Sequence, residues 1–209
     1  MKKFELTGEF KMLFGTRLFR IRALANFGDV ACGDLGGYVE KEENLSHDGD
    51  AWVYGNAQVS GNAQVSGNAQ VSGNAQVYGD AWVYGNAQVY GDAWVYGNAQ
   101  VSGNAQVSGN AQVSGDAQVS GNAQVSGDAQ VYGDAWVCGD NDYACVKGFG
   151  SEFRNTTFFR TTNGNIGVKC GCFYGTLDAF RGKVKETHGD TKYAKEYLLI
   201  ADLMEKHFE

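Results

Sequence analysis

A six-residue period constrains this chain more than any other feature. Across residues 49–138 the sequence repeats Gly-(Asn or Asp)-Ala-(Gln or Trp)-Val-(Ser or Tyr) for fifteen hexads without an insertion, with Cys138 in the final place. Ala and Val lie two apart, so in an extended segment they share one side. Gln or Trp, and Ser or Tyr, share the other. Gly supplies the permissive backbone of a corner, and the Asn or Asp after it tolerates a left-handed conformation and bonds its own backbone. Each hexad is therefore a short strand plus a corner. A small residue followed by an aliphatic one at this period is the hexapeptide pattern of left-handed parallel β-helices, in which three six-residue sides close one coil. The 90 residues then make about five 18-residue coils. With strands ~4.8 Å apart, the result is a triangular prism roughly 24 Å tall whose interior is columns of Ala and Val.

Composition agrees with regular corners. The 209 residues include 30 Gly and no Pro, which argues against a disordered linker or a collagen-like fibre. A coil survives because its neighbours cover it, so the open ends need caps. The expected organisation is mainly β: an N-terminal β cap with an irregular first coil (1–48), the β-helix (49–138), and a C-terminal α+β unit (139–209). Val39, Leu45 and Ala51 are six apart and are expected to extend the Ala column by one coil, leaving Lys41 and His47 at the Val position. Residues 2–24 read as strands, with Phe14, Leu18, Phe19 and Ile21 as cap core. Residues 153–161 and 165–173 read as a hairpin around Asn163-Gly164. Thr176 is expected to cap a helix to about Glu186. Asp190 or Thr191 opens a second, with Ala194, Tyr197, Leu198, Ala201 and Met204 at helical spacing.

The charges fall unevenly. Residues 1–48 carry 7 basic and 8 acidic groups, residues 49–138 carry 0 and 6, and residues 139–209 carry 10 and 10, giving the net of −7. A segment without Lys or Arg cannot release counterions from a phosphate backbone, so direct nucleic-acid binding by the repeat is disfavoured. Duplex DNA carries one charge per ~1.7 Å, and six Asp along the prism are too sparse to imitate it. Met1-Lys2-Lys3-Phe4-Glu5-Leu6 is basic without the apolar run of a signal peptide, and no membrane span is visible, so a cytoplasmic protein is expected. Cys32, Cys138, Cys145, Cys170 and Cys172 lack the spacing of a disulfide framework and read as reduced thiols.

Ten aromatics occupy outward positions of the hexads: Trp52, Trp82, Trp94 and Trp136 in place of Gln, and Tyr54, Tyr78, Tyr84, Tyr90, Tyr96 and Tyr132 in place of Ser. All ten are expected to face solvent. Tyr78 and Tyr96 should stack in one column beside Trp94, with Trp82, Tyr84 and Tyr90 at the same height on the other two sides. Exposed aromatics in a group mark a contact surface, to a protein partner or to another copy of the chain. The remaining Gln and Ser offer no general base, nucleophile or cationic anchor, so no catalytic residue and no cofactor is expected. Asp80, Asp116 and Asp134 share one column and Asp92 and Asp128 another, where they read as Asn substitutes in the corner rather than cation ligands. Ile166, Val168, Cys170 and Cys172 alternate and read as one strand face with the thiols as small core residues, so no metal is expected there either. His47, His188 and His207 are far apart in sequence.

The hexads resemble those of hexapeptide-repeat acyltransferases, trimeric β-helices with a catalytic His in a cleft between subunits and a protruding loop. No His occurs in residues 49–187 and no loop interrupts the hexads, so the catalytic residue has no counterpart here, and the alternative this resemblance leaves is an acyltransferase-like enzyme with an atypical site. The flat polar repeat also resembles β-helical ice-binding proteins, but without their Thr rows. A more extensive resemblance is to hexapeptide-repeat proteins of phages and prophages. It lies in Gly33-Asp34-Leu35-Gly36-Gly37-Tyr38-Val39-Glu40, Asn44-Leu45-Ser46-His47, the hexads, Lys169-Cys170-Gly171-Cys172-Phe173 and Gly175-Thr176-Leu177-Asp178. It implies phage origin and the β-helix fold, without an activity. The expected role is a non-enzymatic platform or spacer that binds a protein through its aromatics or its ends, as a structural accessory or an inhibitor of a host defence component.

Overall fold

The computed structural model describes residues 2–209. Three strands precede the repeat: β1 (Phe4–Leu13), β2 (Thr16–Ala23) and β3 (Leu35–Val39). Each hexad then forms one two-residue strand on its Gln-Val or Trp-Val pair, from β4 (Trp52–Val53) to β18 (Trp136–Val137). Each strand pairs in parallel with the one three hexads later, Gln58 beside Gln76 and Val59 beside Val77, so three sheets form the sides of a parallel β-solenoid. The Ala and Val of residues 51–137 are fully buried in one continuous core.

The corners explain the rest of the hexad. Gly67 has φ +68°, and a Cβ there would lie 2.9 Å from the Gly85 carbonyl oxygen of the next coil. The Asn side chains form ladders along the axis: Asn68 Nδ2 donates to Asn86 Oδ1 at 3.1 Å, and Asn86 Nδ2 to Asn104 Oδ1 at 3.0 Å. Asp80, Asp92, Asp116 and Asp128 enter as acceptors from Asn62, Asn74, Asn98 and Asn110. The Asp columns are thus corner residues, as their spacing suggested.

The ladder is polar along its length. Strand N–H groups point to the following coil, as in Trp52 N to Ala69 O (3.0 Å) and Gln76 N to Ala93 O (2.9 Å), and strand carbonyls point to the preceding one. The solenoid therefore ends in bare carbonyls at its N-terminal face and in bare amides at its C-terminal face. Unpaired backbone groups are costly when covered, and each flank meets its end with the matching chemistry. At the first face, Lys3 Nζ donates to Gly49 O (3.1 Å) and Ala51 O (2.9 Å), and Lys11 Nζ to Asn56 O (3.1 Å). The buried Asn44 amide donates to Gly61 O (3.1 Å) and Ala63 O (2.8 Å). At the other face Asp140 accepts from Gln124 N (2.8 Å), Asp142 from Cys138 N and Gly139 N (both 2.9 Å), and the Thr157 hydroxyl from Gln130 N (2.9 Å).

The first coil differs from the sequence expectation. Val39 pairs with Val59 and Leu45 with Val65, so both stand in the Val column rather than the Ala column. The separation is 59 − 39 = 20 residues, two more than in later coils, and the two extra residues fall between Leu45 and Val53, where residues 47–50 form an irregular corner. Lys41 and His47 consequently do not occupy Val positions. His47 instead stacks on Phe4 at 4.5 Å and bonds Glu42 Oε1 through Nε2 at 2.7 Å. β1 and β2 form an antiparallel hairpin that extends one side of the solenoid through β3. Leu18 and Ile21 are buried as expected, but Phe14 is 100% exposed. It sits with φ +46° in the tight turn to β2, where Phe14-Gly15 is a two-residue connection.

The C-terminal unit is an antiparallel sheet of β19 (Tyr143–Val146), β20 (Thr156–Arg160), β21 (Ile166–Cys170) and β22 (Phe173–Thr176), covered by α1 (Leu177–His188) and α2 (Lys192–Phe208). The hairpin and both helices match the reading of the sequence, with Thr176 and Thr191 hydroxyls accepting from Ala179 N and Ala194 N as N-caps. Neighbouring residues of β20 serve different cores: Phe158 packs with the helices and Phe159 with the end of the solenoid. That alternation seats the unit on the last coil. The second strand ends at Cys170, and Cys172 lies exposed in the turn before β22, so the two thiols do not share a strand face as expected. No helix among the described residues is long and apolar enough to cross a membrane.

Candidate interaction surface

The hexads from Asp80 to Tyr96 place aromatics on all three sides of the solenoid. Trp82 opens one strand and Tyr84 follows it, Tyr90 follows the next, Trp94 opens the third and Tyr96 follows it, and Tyr78 lies one coil before Tyr96. Tyr78 and Tyr96 stack with ring centres 5.0 Å apart and planes 4° from parallel, and Trp94 meets Tyr78 edge-on at 6.4 Å. The column read from the sequence is therefore present. Burial raises the Tyr78 hydroxyl pKa above its ordinary value, with a smaller contribution from Tyr96. Trp82, Tyr84, Tyr90 and Trp94 are exposed, and the Tyr90 hydroxyl donates to Gln106 Oε1 at 3.2 Å. Trp82, at 49% exposure, forms a shallow recess with Tyr84, Gln64, Ser66 and Gln100.

Three of the ten expected surface residues belong to the caps instead. Trp52 is 1% exposed, because Phe27 and Phe4 cover it edge-on at 5.3 and 6.3 Å. Tyr54 is half-buried against the same core, and burial followed by Asp29 and Asp50 raises its pKa. Tyr132 packs under the C-terminal unit, 5.0 Å from Tyr174 and beneath Lys169 Nζ at 5.1 Å. The Tyr174 hydroxyl donates to Asp134 Oδ1 at 2.6 Å, and burial, then that bond, raises its pKa. Trp136 is exposed on the last coil, on the same side as Trp82 but three coils away. The belt proper is thus Tyr78, Trp82, Tyr84, Tyr90, Trp94 and Tyr96.

Sequence reasoning missed a second exposed apolar group. Phe10, Met12 and Phe14 are exposed on the hairpin, with the Arg17 guanidinium 4.9 Å over the Phe10 ring. The signal was present: Phe14-Gly15 separates two alternating runs, as a two-residue turn does. Around the belt the surface is Gln, Ser, Asn and Asp. Among the described residues no three His, Cys, Asp or Glu side chains are grouped to hold a metal ion.

The hexads match a family model described as the YdcK beta solenoid repeat, over residues 57–73, 63–79, 69–85, 87–103, 99–115, 105–121, 117–133 and 123–139. The starting points differ by multiples of six, the period of the strands. The match covers the repeat and not the flanks, and shows a β-solenoid repeat of that kind. No curated protein matches the chain.

Proposed function

We propose that this protein is a non-enzymatic platform: a rigid β-solenoid that binds another protein through the aromatic belt. The observation that carries the reading is the concentration of Trp82, Tyr84, Tyr90, Trp94 and Tyr96 in one coil of a surface built mostly from Gln, Ser, Asn and Asp. Aromatic residues supply large contact area at low entropic cost and are enriched in interface centres. Both ends of the solenoid are covered by its own flanks, which leaves the sides as the contact surface rather than the ends. Near-identical hexads fit a scaffold, whereas a catalytic surface needs different groups at different places. The resemblance of residues 33–40 and 169–178 to phage and prophage proteins supports a partner in the phage particle or its bacterial host, and with it a cytoplasmic role as structural accessory or inhibitor.

The test is a fourfold variant, Trp82→Gln, Tyr84→Ser, Trp94→Gln and Tyr96→Ser, which restores the commoner hexad. Its circular dichroism and unfolding midpoint should match the parent. Light scattering on a sizing column, alone and with host lysate fractions, should show association by the parent and none by the variant. A variant that associates as the parent does overturns the proposal.

A further inference from the structure

The C-terminal unit holds a cavity that the repeat does not provide. α1, α2, the turn between β21 and β22 and residues 151–154 line an open-mouthed pocket of about 350 Å3. This is toward the lower end of small-molecule sites, which span roughly 300–1,000 Å3, and a cavity of about 150 Å3 already takes one benzene ring. Its floor is Phe173, Phe180, Val184 and Tyr197. Phe180 stands 5.6 Å from Phe173 and 5.6 Å from Tyr197, nearly perpendicular to the latter at 84°, so the rings form a fixed corner into which a flat group fits edge and face. The Tyr197 hydroxyl is already tied to the Phe149 carbonyl at 3.3 Å, which holds that ring in place.

The rim is cationic. Arg154 and Lys183 line the mouth beside His188, against one carboxylate, Glu152. Arg154 meets Glu152 only at 4.0 Å, and Lys183 pairs with Glu186 at 3.1 Å along the exposed face of α1. Pairs of this exposed kind are weak and exchange readily. Arg181, on the same helix, is by contrast held by both Asp202 and Glu205 at 2.8 Å and does not line the cavity. Two available cations beside an aromatic corner select an anionic group joined to a flat apolar body. We propose that this cavity binds a small aromatic carboxylate or sulfonate of up to three rings, its rings against Phe173, Phe180 and Tyr197 and its anionic group between Arg154 and Lys183. The site is independent of the belt and of the platform reading.

The thiols make the proposal testable at the site. Cys172 is exposed at the cavity wall, whereas Cys32 is exposed in the loop between β2 and β3, outside the cavity lining. The probe is 1-anilinonaphthalene-8-sulfonate, titrated by fluorescence and then used at saturation during iodoacetamide labelling read by peptide mass spectrometry. Labelling of Cys172 should slow several-fold and that of Cys32 should not change. Replacing the two surface cations together, Arg154→Ala with Lys183→Ala, should weaken probe binding about tenfold, the loss expected of one charge-assisted contact. The neutral N-phenyl-1-naphthylamine should bind the parent correspondingly less. An unchanged Cys172 rate, equal slowing at both cysteines, undiminished binding by the double variant, or equal affinity for the neutral probe overturns the proposal.

Discussion

Lys3 and Asn44 each do with one side chain what a whole coil does elsewhere in the solenoid. Lys3 is 5% exposed, and burial lowers its pKa to about 8, against the pull of Asp50 and Asp48 in the other direction. An unfolded Lys keeps its proton to about 10.5. Between those values the unfolded chain binds a proton that the folded chain has released, so the Lys3 contribution to stability rises with pH across this window. Below pH 8 the cost of holding a buried charge is fully present. Relative to Lys3→Met, the parent should gain on the order of 2 kcal/mol between pH 7.5 and 10, read from urea unfolding of both proteins at each pH. A difference that does not move with pH contradicts this account. Asn44 is fully buried, with its Oδ1 accepting from Lys41 N at 2.9 Å and its amide capping two carbonyls. Asn44→Ala strands those carbonyls and should cost about 2–4 kcal/mol. Asn44→Asp should cost more, because it turns an oxygen toward two oxygens, and equal urea midpoints for Asn44→Asp and parent would refute the assigned orientation. At this scale the sequence hides what the caps do. The hexads of Trp52 and Trp82 are both Gly-Asp-Ala-Trp-Val-Tyr, yet one Trp is buried and the other exposed. Phe4, Phe27 and Gly36, all from the N-terminal cap, distinguish them.

The hexad itself was legible because its period is also its geometry: Ala and Val two apart define the inside, and Gly defines the corner. Two roles of that Gly can be separated. Gly67 and Gly127 have nearly the same backbone, φ +68° and +67°, but a Cβ at Gly67 meets Gly85 O at 2.9 Å and one at Gly127 meets nothing within 4 Å. Gly127→Ala should therefore cost only the left-handed penalty, about 1–2 kcal/mol. Gly67→Ala should cost at least twice that, since the next coil must move. Equal losses in thermal or urea unfolding would show that the Gly column does not set the approach of the coils. The first coil was less legible for a physical reason. Val39, Leu45 and Ala51 keep the six-residue spacing, which hides a two-residue insertion at the corner of residues 47–50, and that corner also carries the Gly49 carbonyl that Lys3 caps. Similarly, β19 and β22 are four-residue strands, too short to declare themselves by alternation, and β22 leads directly into the Thr176 cap of α1.

At the scale of the molecule, the parallel ladder gives the solenoid a direction, and the flanks are matched to its two ends: Lys and Asn donors at the carbonyl face, Asp and Thr acceptors at the amide face. The caps contact only the coils beside them, while the interior coils are interchangeable, so length and end chemistry are independent. That independence was readable from the uniform repeat, whereas the aromatic corner of the C-terminal cavity was not, because its residues come from β22, α1 and α2 and meet only in the folded unit. It also makes a sharp prediction. Deleting residues 97–114 removes three hexads free of aromatics and joins Tyr96 to Gly115 in the same phase. The belt and both caps remain, and every strand N–H before the last coil still finds a carbonyl in the next one. The shortened protein should unfold cooperatively, keep the parent circular dichroism per residue, and lose one strand spacing, ~4.8 Å, of length in small-angle scattering. Deleting residues 103–111 removes half that number, nine, and shifts the pattern by half a hexad, so that the residues following the join no longer present Ala and Val to the core. This variant should fail to fold as a solenoid. A stable, soluble product from the nine-residue deletion, or collapse of the eighteen-residue one, would show that something other than the phase of inward Ala and Val holds the coils in register.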